Sequence, residues 1–492
     1  MLFRSQKVAH DALTKTLALV QEGTPWEDEW GVVPFATNGG TPYYNANAGA
    51  VVVMNVKTGE ILAKANAPTF NLNPFSTGIT ESDWQALFPA NENDVIAPRP
   101  LYDIAMQTAV QPGSIFKLAS TLAAFEKGLS PDEQIFDSGV LTIGDTKFAC
   151  HVWDPVQQNT HGWVDSRAAI EYSCNYYYYA LALGKNQSSG QETGVKLEID
   201  DLIEMAKKLG LGEKTGIEVY SPAENPGLVP DPAAKLRIRK KQLAEFLENN
   251  LEKYYEEGYR YNKNDVTWSI HTITSWLDET PVRSRDEVLE ELTDLHFVAE
   301  TPLPGQRAGL ADIIKYDYLE QANWDITDTL NVIIGQGPNA YTPLQMARYM
   351  CIFANGGYKL KAHVISKVMN PDNTEIIEQT VPEKERIDIK DPRHLQPILE
   401  GMLLAKDVSG KTVVNFPMKV GVKTGTAQNT AINPNTGQMY DNYGWFLAFA
   451  PYDDPEIAIA TILFQGGSGI NAAPLNRAII AHYFNMKPEA NQ

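Results

Sequence analysis

Apolar residues recur at every third or fourth position from Val8 to Val20 (Ala9, Ala12, Leu13 and Leu17 between them). That is the period of a helix burying one face, and it predicts a helix to about Gln21. The period then changes. Ala50–Val56 and Glu60–Ala63 are β-rich runs on either side of Lys57-Thr58-Gly59, which predicts a hairpin. Residues 67–100 carry Pro68, Pro74, Pro89, Pro98 and Pro100 and are expected to be largely irregular. Helical periodicity returns at Ile115, Leu118, Ala119, Leu122 and Phe125, with Gly128 as the stop. Asp165 can cap a helix to Tyr172, and a second helix is predicted over 175–183. Asp200 or Asp201 opens a third that ends at Gly210. Near the end, 419–427, 444–450 and 457–464 read as strands, and a last helix runs from about Pro474 to Phe484. Strands at both ends with helices between them imply one sheet assembled from the N- and C-terminal parts, an α+β layout.

The stretch 232–322 differs in character. It is dense in Glu, Lys, Arg and Tyr, with amphipathic runs at 236–255 and 284–295, and Ser284 with Glu287 forms a capping-box pattern. It reads as a helical insertion, and its Arg237-Ile238-Arg239-Lys240-Lys241 cluster as a solvated helix face. The expected organisation is an N-terminal helix and linker (1–47), one domain in two parts (48–231 and 323–492), and the insertion between them.

Charge narrows the function classes. The chain has 492 residues and a net charge of −20, which argues against nucleic acid as a partner. No apolar run reaches the roughly 18–20 residues of a membrane span, and the chain is expected to begin inside a domain. Three scattered cysteines make no disulfide framework. Cys150, His151, Asp154 and His161 fit no zinc spacing, so neither a metal nor a cofactor is expected.

Three short motifs carry the chemistry. In Gln111-Pro112-Gly113-Ser114-Ile115-Phe116-Lys117, Pro and Gly lead into a helix start. The three-residue spacing lets the Lys117 amine reach the Ser114 hydroxyl, which is a weak nucleophile until a base takes its proton. Ser173-Cys174-Asn175 falls at a break between two predicted helices, where both polar side chains can point into a cleft. Lys-Thr-Gly occurs three times. Lys57 and Lys214 fall in turns, whereas Lys423-Thr424-Gly425-Thr426 lies in a strand, where a glycine marks close approach of another backbone. Taken singly, each motif also reads as a cap or a turn. In this order, Ser-x-x-Lys, Ser-x-Asn and Lys-Thr-Gly match the signature of penicillin-binding proteins and serine β-lactamases.

The sequence resembles the penicillin-binding protein family, and within it the class B, monofunctional transpeptidases. Gly335-Gln336-Gly337, Thr342-Pro343-Leu344-Gln345 and Lys423-Thr424-Gly425-Thr426-Ala427 share that wording. The resemblance implies an antiparallel sheet flanked by helices, with an all-helical lobe and the active site between them. It implies Ser114 as the acylated nucleophile, Lys117 as its base, Ser173 as a proton relay and Asn175 as an orienting amide. Lys423 would supply positive potential, the Thr424 and Thr426 hydroxyls would hold the substrate carboxylate, and Gly425 between them would also bind substrate. The backbone N–H groups of Ser114 and Thr426 would hold the oxyanion. The implied activity is D,D-transpeptidation of peptidoglycan stem peptides, inhibited by β-lactam antibiotics. The alternatives are a β-lactam sensor domain or a β-lactamase. The implied location is the extracytoplasmic face of the bacterial cell membrane. A membrane glycosyltransferase is the expected partner, through an N-terminal anchor and pedestal that this chain does not carry.

Overall fold

Five strands carry the fold: β1 (Ala48–Asn55), β2 (Ile61–Ala67), β3 (Gly421–Ala427), β4 (Tyr443–Ala450) and β5 (Ile457–Phe464). They form one antiparallel sheet in the order β3-β4-β5-β1-β2. The β5–β1 register, Ile457 opposite Asn55 through Phe464 opposite Ala48, joins the two ends of the chain. The computed structural model describes residues 2–89, 91–92, 94, 96–408, 416–429, 431–433 and 437–487. β4 and β5 are almost continuously apolar because helices cover both faces of the sheet.

The helices that position the site are α1 (Leu2–Glu22), α2 (Lys117–Glu126), α3 (Ser166–Glu171), α4 (Asn175–Leu183), α5 (Ile199–Lys208), α6 (Pro343–Ala354) and α7 (Ala473–Tyr483). Ala9, Ala12, Leu13 and Leu17 of α1 lie in one core with Val51, Ala63, Phe446, Ile459 and Ile480. The first 47 residues are therefore part of the main unit and not a lead-in to it, because the apolar stripe of α1 is needed to cover the sheet. Every residue of α6 is buried. Its N-terminus is held by a reciprocal Thr342–Gln345 capping box. In α5 the cap is Glu198 instead of Asp200 or Asp201. Asp201 takes the third helical position and accepts from the Glu198 N–H. The 67–100 stretch includes two short helices, Asn73–Thr77 and Glu81–Gln85, the second capped by Thr80.

The chain divides into two compact units, one of them Pro230–Thr329. That smaller unit is helical and has its own core, including Leu243, Leu247, Tyr254, Ile273, Trp276, Val288 and Leu292. Ser284 and Glu287 form the capping box of its Arg285–Asp294 helix. In the basic cluster, Lys240 pairs with Asp278.

Candidate active site

Ser114 does not open an α-helix. It sits in a 3₁₀ turn, Gly113–Phe116, and Lys117 begins α2. A 3₁₀ turn has three residues per turn, so positions 114 and 117 are stacked more directly than in an α-helix. The turn is fixed by backbone contact on two sides. Gly113, at φ +55°, donates its N–H to the Gly335 carbonyl at 2.9 Å. A Cβ on Gly335 would come within 2.1 Å of the Gly113 oxygen, and one on Gly425 within 2.7 Å of the Pro112 oxygen. These glycines let a loop, the Ser114 turn and β3 touch backbone to backbone.

Three of the predicted polar residues, Lys117, Asn175 and Lys423, converge around Ser173, which itself holds a left-handed φ of +53°. Lys117 Nζ donates to the Ser173 carbonyl at 2.7 Å, to Ser173 Oγ at 3.3 Å and to Asn175 Oδ1 at 2.6 Å. Lys423 Nζ donates to the same Oγ at 2.9 Å. The direct Lys117–Ser114 hydrogen bond expected from the spacing is not among these contacts. Three acceptors around Lys117 match the three N–H bonds of an ammonium. The amine must therefore lose a proton before it can act as a base.

The surroundings favour that loss. Lys117 and Lys423 are both fully buried, and burial penalises the charged form of an amine. Burial pulls Lys117 down to about 8, against a smaller upward pull from the Cys150 and Cys174 sulfurs. Burial, and then the Lys117 charge, push Lys423 well below its ordinary value. Both pressures weaken the standing positive charge expected of Lys423 from the motif. A carboxylate arriving beside Thr424 would oppose both pressures and favour its ammonium form.

On β3, Val422, Thr424 and Thr426 share one face, and Lys423 and Gly425 the other. Among the described residues β3 is the edge of the sheet and pairs there only with β4. Lys57, on the hairpin turn, pairs with Asp454, and Lys214 is exposed.

Two groups at the site escape a reading of the sequence for function. Gln336 stands out there only as family wording, yet its Nε2 donates to Thr426 O at 3.2 Å, tying the Gly335–Gly337 loop to β3. The other group is a donor cluster. Asp137, Cys150, His161 and Cys174 bring their ligand atoms within 4.8 Å of one another. Two sulfurs, an imidazole and a carboxylate are a set suited to zinc. Proximity along the chain groups Cys150 and His161 with His151 and Asp154 instead. Asp154 in fact accepts the Val156 and Gln157 N–H groups of its own turn. Asp137 was invisible because strand pairing of Ile135–Asp137 with Gly162–Val164 delivers it. Burial lowers His161, but hydrogen bonds to Asp137 and Cys150 outweigh it and raise the ring to about 9. The Cys174 thiol and the neighbouring histidines draw Cys150 down, while burial pushes Cys174 up. Cys174 lies between Ser173 and Asn175, so this cluster anchors that motif from behind.

The penicillin-binding protein transpeptidase domain model matches residues 49–247 and 293–481. The chain is 26% identical over 447 residues to peptidoglycan D,D-transpeptidase MrdA of Acinetobacter baumannii, covering 88% of this chain and 50% of that protein. It thus spans about half the length of this curated relative. A structure described as structural coordination of polymerization and crosslinking by a peptidoglycan synthase complex superposes at TM-score 0.63 and 24% identity, covering 99% of this chain and 62% of that one. The imipenem acyl-enzyme of penicillin-binding protein A from M. tuberculosis does so at 0.60 and 19%, covering 98% and 78%. The chain belongs to the penicillin-binding protein transpeptidase family, on its class B side.

Proposed function

We propose that this chain carries the serine D,D-transpeptidase activity of a peptidoglycan cross-linking enzyme. The observation that carries the reading is one hydroxyl, Ser173 Oγ, held between two buried lysine amines beside the turn that presents Ser114. Neutral Lys117 takes the Ser114 proton as Oγ attacks the carbonyl of a D-Ala–D-Ala peptide. The oxyanion rests on the Ser114 and Thr426 backbone N–H groups. Ser173 relays the proton to the leaving amine, and a second stem peptide's amine then resolves the acyl-enzyme. The donor peptide lies along the unpaired edge of β3 as an added strand, its carboxylate beside Thr424 and Lys423. A β-lactam stops at the acyl stage.

We place the parent protein at the extracytoplasmic face of the bacterial cell membrane, beside a membrane glycosyltransferase. The fold shared with a peptidoglycan synthase complex that coordinates polymerization and crosslinking supports that pairing. Intact-mass spectrometry after exposure to penicillin tests the core of the reading. One adduct is expected on Ser114, lost in Ser114→Ala, and lasting many minutes. An adduct on another residue would sink the assignment. Sustained turnover near ~1 s⁻¹ or faster, within the usual enzyme range, would make the protein a β-lactamase.

A further inference from the structure

Each edge of the five-stranded sheet is met by a glutamine side chain. On β2, Lys64 donates its N–H to Gln6 Oε1 and accepts from Gln6 Nε2 at its carbonyl, both at 2.8 Å. The side-chain amide fills the place of a neighbouring strand's backbone and so covers an edge otherwise open to pairing. On β3, Gln336 Nε2 donates to the Thr426 carbonyl at 3.2 Å, and Gln336 Oε1 accepts from the Gln428 N–H at 3.4 Å. Longer hydrogen bonds are weaker ones, and Thr426 and Gln428 are exposed. This cover is the looser of the two.

The Thr426 carbonyl is also where an added strand must pair. It faces the Ser114 turn, since a Cβ on Gly113 would come within 2.6 Å of it. In an antiparallel ladder, the two residues of a hydrogen-bonded pair exchange both bonds, each N–H going to the other's carbonyl. A peptide residue whose scissile carbonyl takes the Thr426 N–H therefore sets its own N–H against the Thr426 carbonyl. Gln336 Nε2 occupies that position.

The backbone around Gln336 is pinned. The Gly335 carbonyl accepts from the Gly113 N–H at 2.9 Å, and the Gly337 carbonyl from Gln111 Nε2 at 2.6 Å. The Gln336 N–H itself donates to the Asn331 carbonyl at 2.9 Å. The half-buried side chain is the part that can turn aside.

We propose that Gln336 is a specificity-determining residue whose amide caps the β3 edge until an acyl donor displaces it. The donor that does so carries an N–H on the carbon next to its scissile carbonyl. The inference rests on the transpeptidase reading. That N–H replaces the hydrogen bond lost at Thr426, whereas a donor without one leaves the carbonyl unpaired or meets Gln336 still in place. A peptide supplies the group from its own backbone, and a penicillin from the acylamino group beside its lactam carbonyl. Selection is thus made at the residue under attack.

Rates of adduct formation with benzylpenicillin and with penicillanic acid, which has hydrogen in place of the acylamino group, test this. Both are followed below saturation on the full chain by intact-mass spectrometry. Gln336→Ala removes the competing amide, so the benzylpenicillin rate divided by the penicillanic acid rate should rise about fivefold, the scale of one hydrogen bond. Gln336→Met keeps the length of the side chain without its polar atoms. It should raise the ratio likewise, and it decides if the alanine variant fails to fold. Were Gln336 only a brace for its loop, both rates would fall together and the ratio would keep its parent value. That result, or a lower ratio, would overturn the proposal while the parent's benzylpenicillin adduct leaves the transpeptidase reading standing. No benzylpenicillin adduct in the parent would defeat that reading, and this inference with it.

Discussion

Lys117 and Lys423 face the same hydroxyl, and two buried amines this close cannot both stay charged cheaply. Lys117, drawn to about 8 chiefly by burial, is the one poised to change state near neutral pH. A general base works only when deprotonated, so the sign is fixed: acylation by penicillin should accelerate as pH rises and level off above about 8. At pH 7 only about a tenth of the molecules would hold the neutral amine. Stopped-flow acylation across that range reads the midpoint directly, and Lys117→Ala should lose about 10²–10⁴-fold, the usual share of a general base. A flat profile from about pH 6 to 9 would remove Lys117 from this role. The grouping of Lys117, Ser173, Asn175 and Lys423 was legible in the sequence because the expected chemistry calls for those residue types in that order. Asp137 and Cys174 were not legible as partners. Their meeting depends on strand pairing and a helix break, and neither leaves a fixed spacing.

A Lys-Thr-Gly triplet means different things on different elements. On the β1–β2 hairpin turn, Lys57 meets Asp454 in solvent; on the turn after α5, Lys214 is exposed. Only on β3 does the lysine reach Ser173, because that strand lies in backbone contact with the Ser114 turn. Lys57→Ala and Lys214→Ala are therefore expected to acylate at near-parent rates. Lys423→Ala should be slower by about 10²–10³, the scale of losing one preorganised charge-stabilising donor. Equal losses in the three variants, measured by the rate of adduct formation, would undo the choice of strand. The long elements were readable because period-2 and period-3.6 patterns persist over several turns or residues: β5 spans Ile457–Phe464 and α4 spans Asn175–Leu183, as predicted. The 3₁₀ turn at Ser114 was not. Its geometry is imposed by Gly335 and Gly425 pressing on it from distant parts of the chain, a tertiary override of local propensity. Three-residue strands such as Ile135–Asp137 are too short to show any period.

At the scale of the molecule, the question is whether the helical unit is needed for the chemistry. The catalytic unit closes its own stem: Leu228 and Ala340 exchange two backbone hydrogen bonds, at 2.6 and 3.1 Å. Gln345, in the α6 capping box, holds Pro226 from inside the same unit at 2.6 Å. Across the base of the smaller unit, Lys235 donates to the Asn323 carbonyl and to Asp328, both at 2.6 Å. The two ends of 232–322 are thus about one side chain apart, and a short Gly/Ser linker can join them at little entropic penalty. Asp325 stays to cap the Ile326–Ile333 helix, which leads into Gly335. Replacing 232–322 should leave Ser114 acylation within about tenfold of the parent, as for other peripheral elements. Between its two matched stretches the family model leaves out 248–292, so deleting that shorter stretch looks the milder change. It should behave worse. It would remove Leu251, Tyr254, Ile273, Trp276, Val288 and Leu292 while leaving Leu243, Leu247, Phe297 and Leu310 with an exposed apolar face. Size-exclusion chromatography and adduct formation on the two variants separate these outcomes. The larger replacement is expected to be the more soluble and fully acylated. A folded, soluble 232–322 replacement that takes up no penicillin would show that the helical unit helps to build the active site.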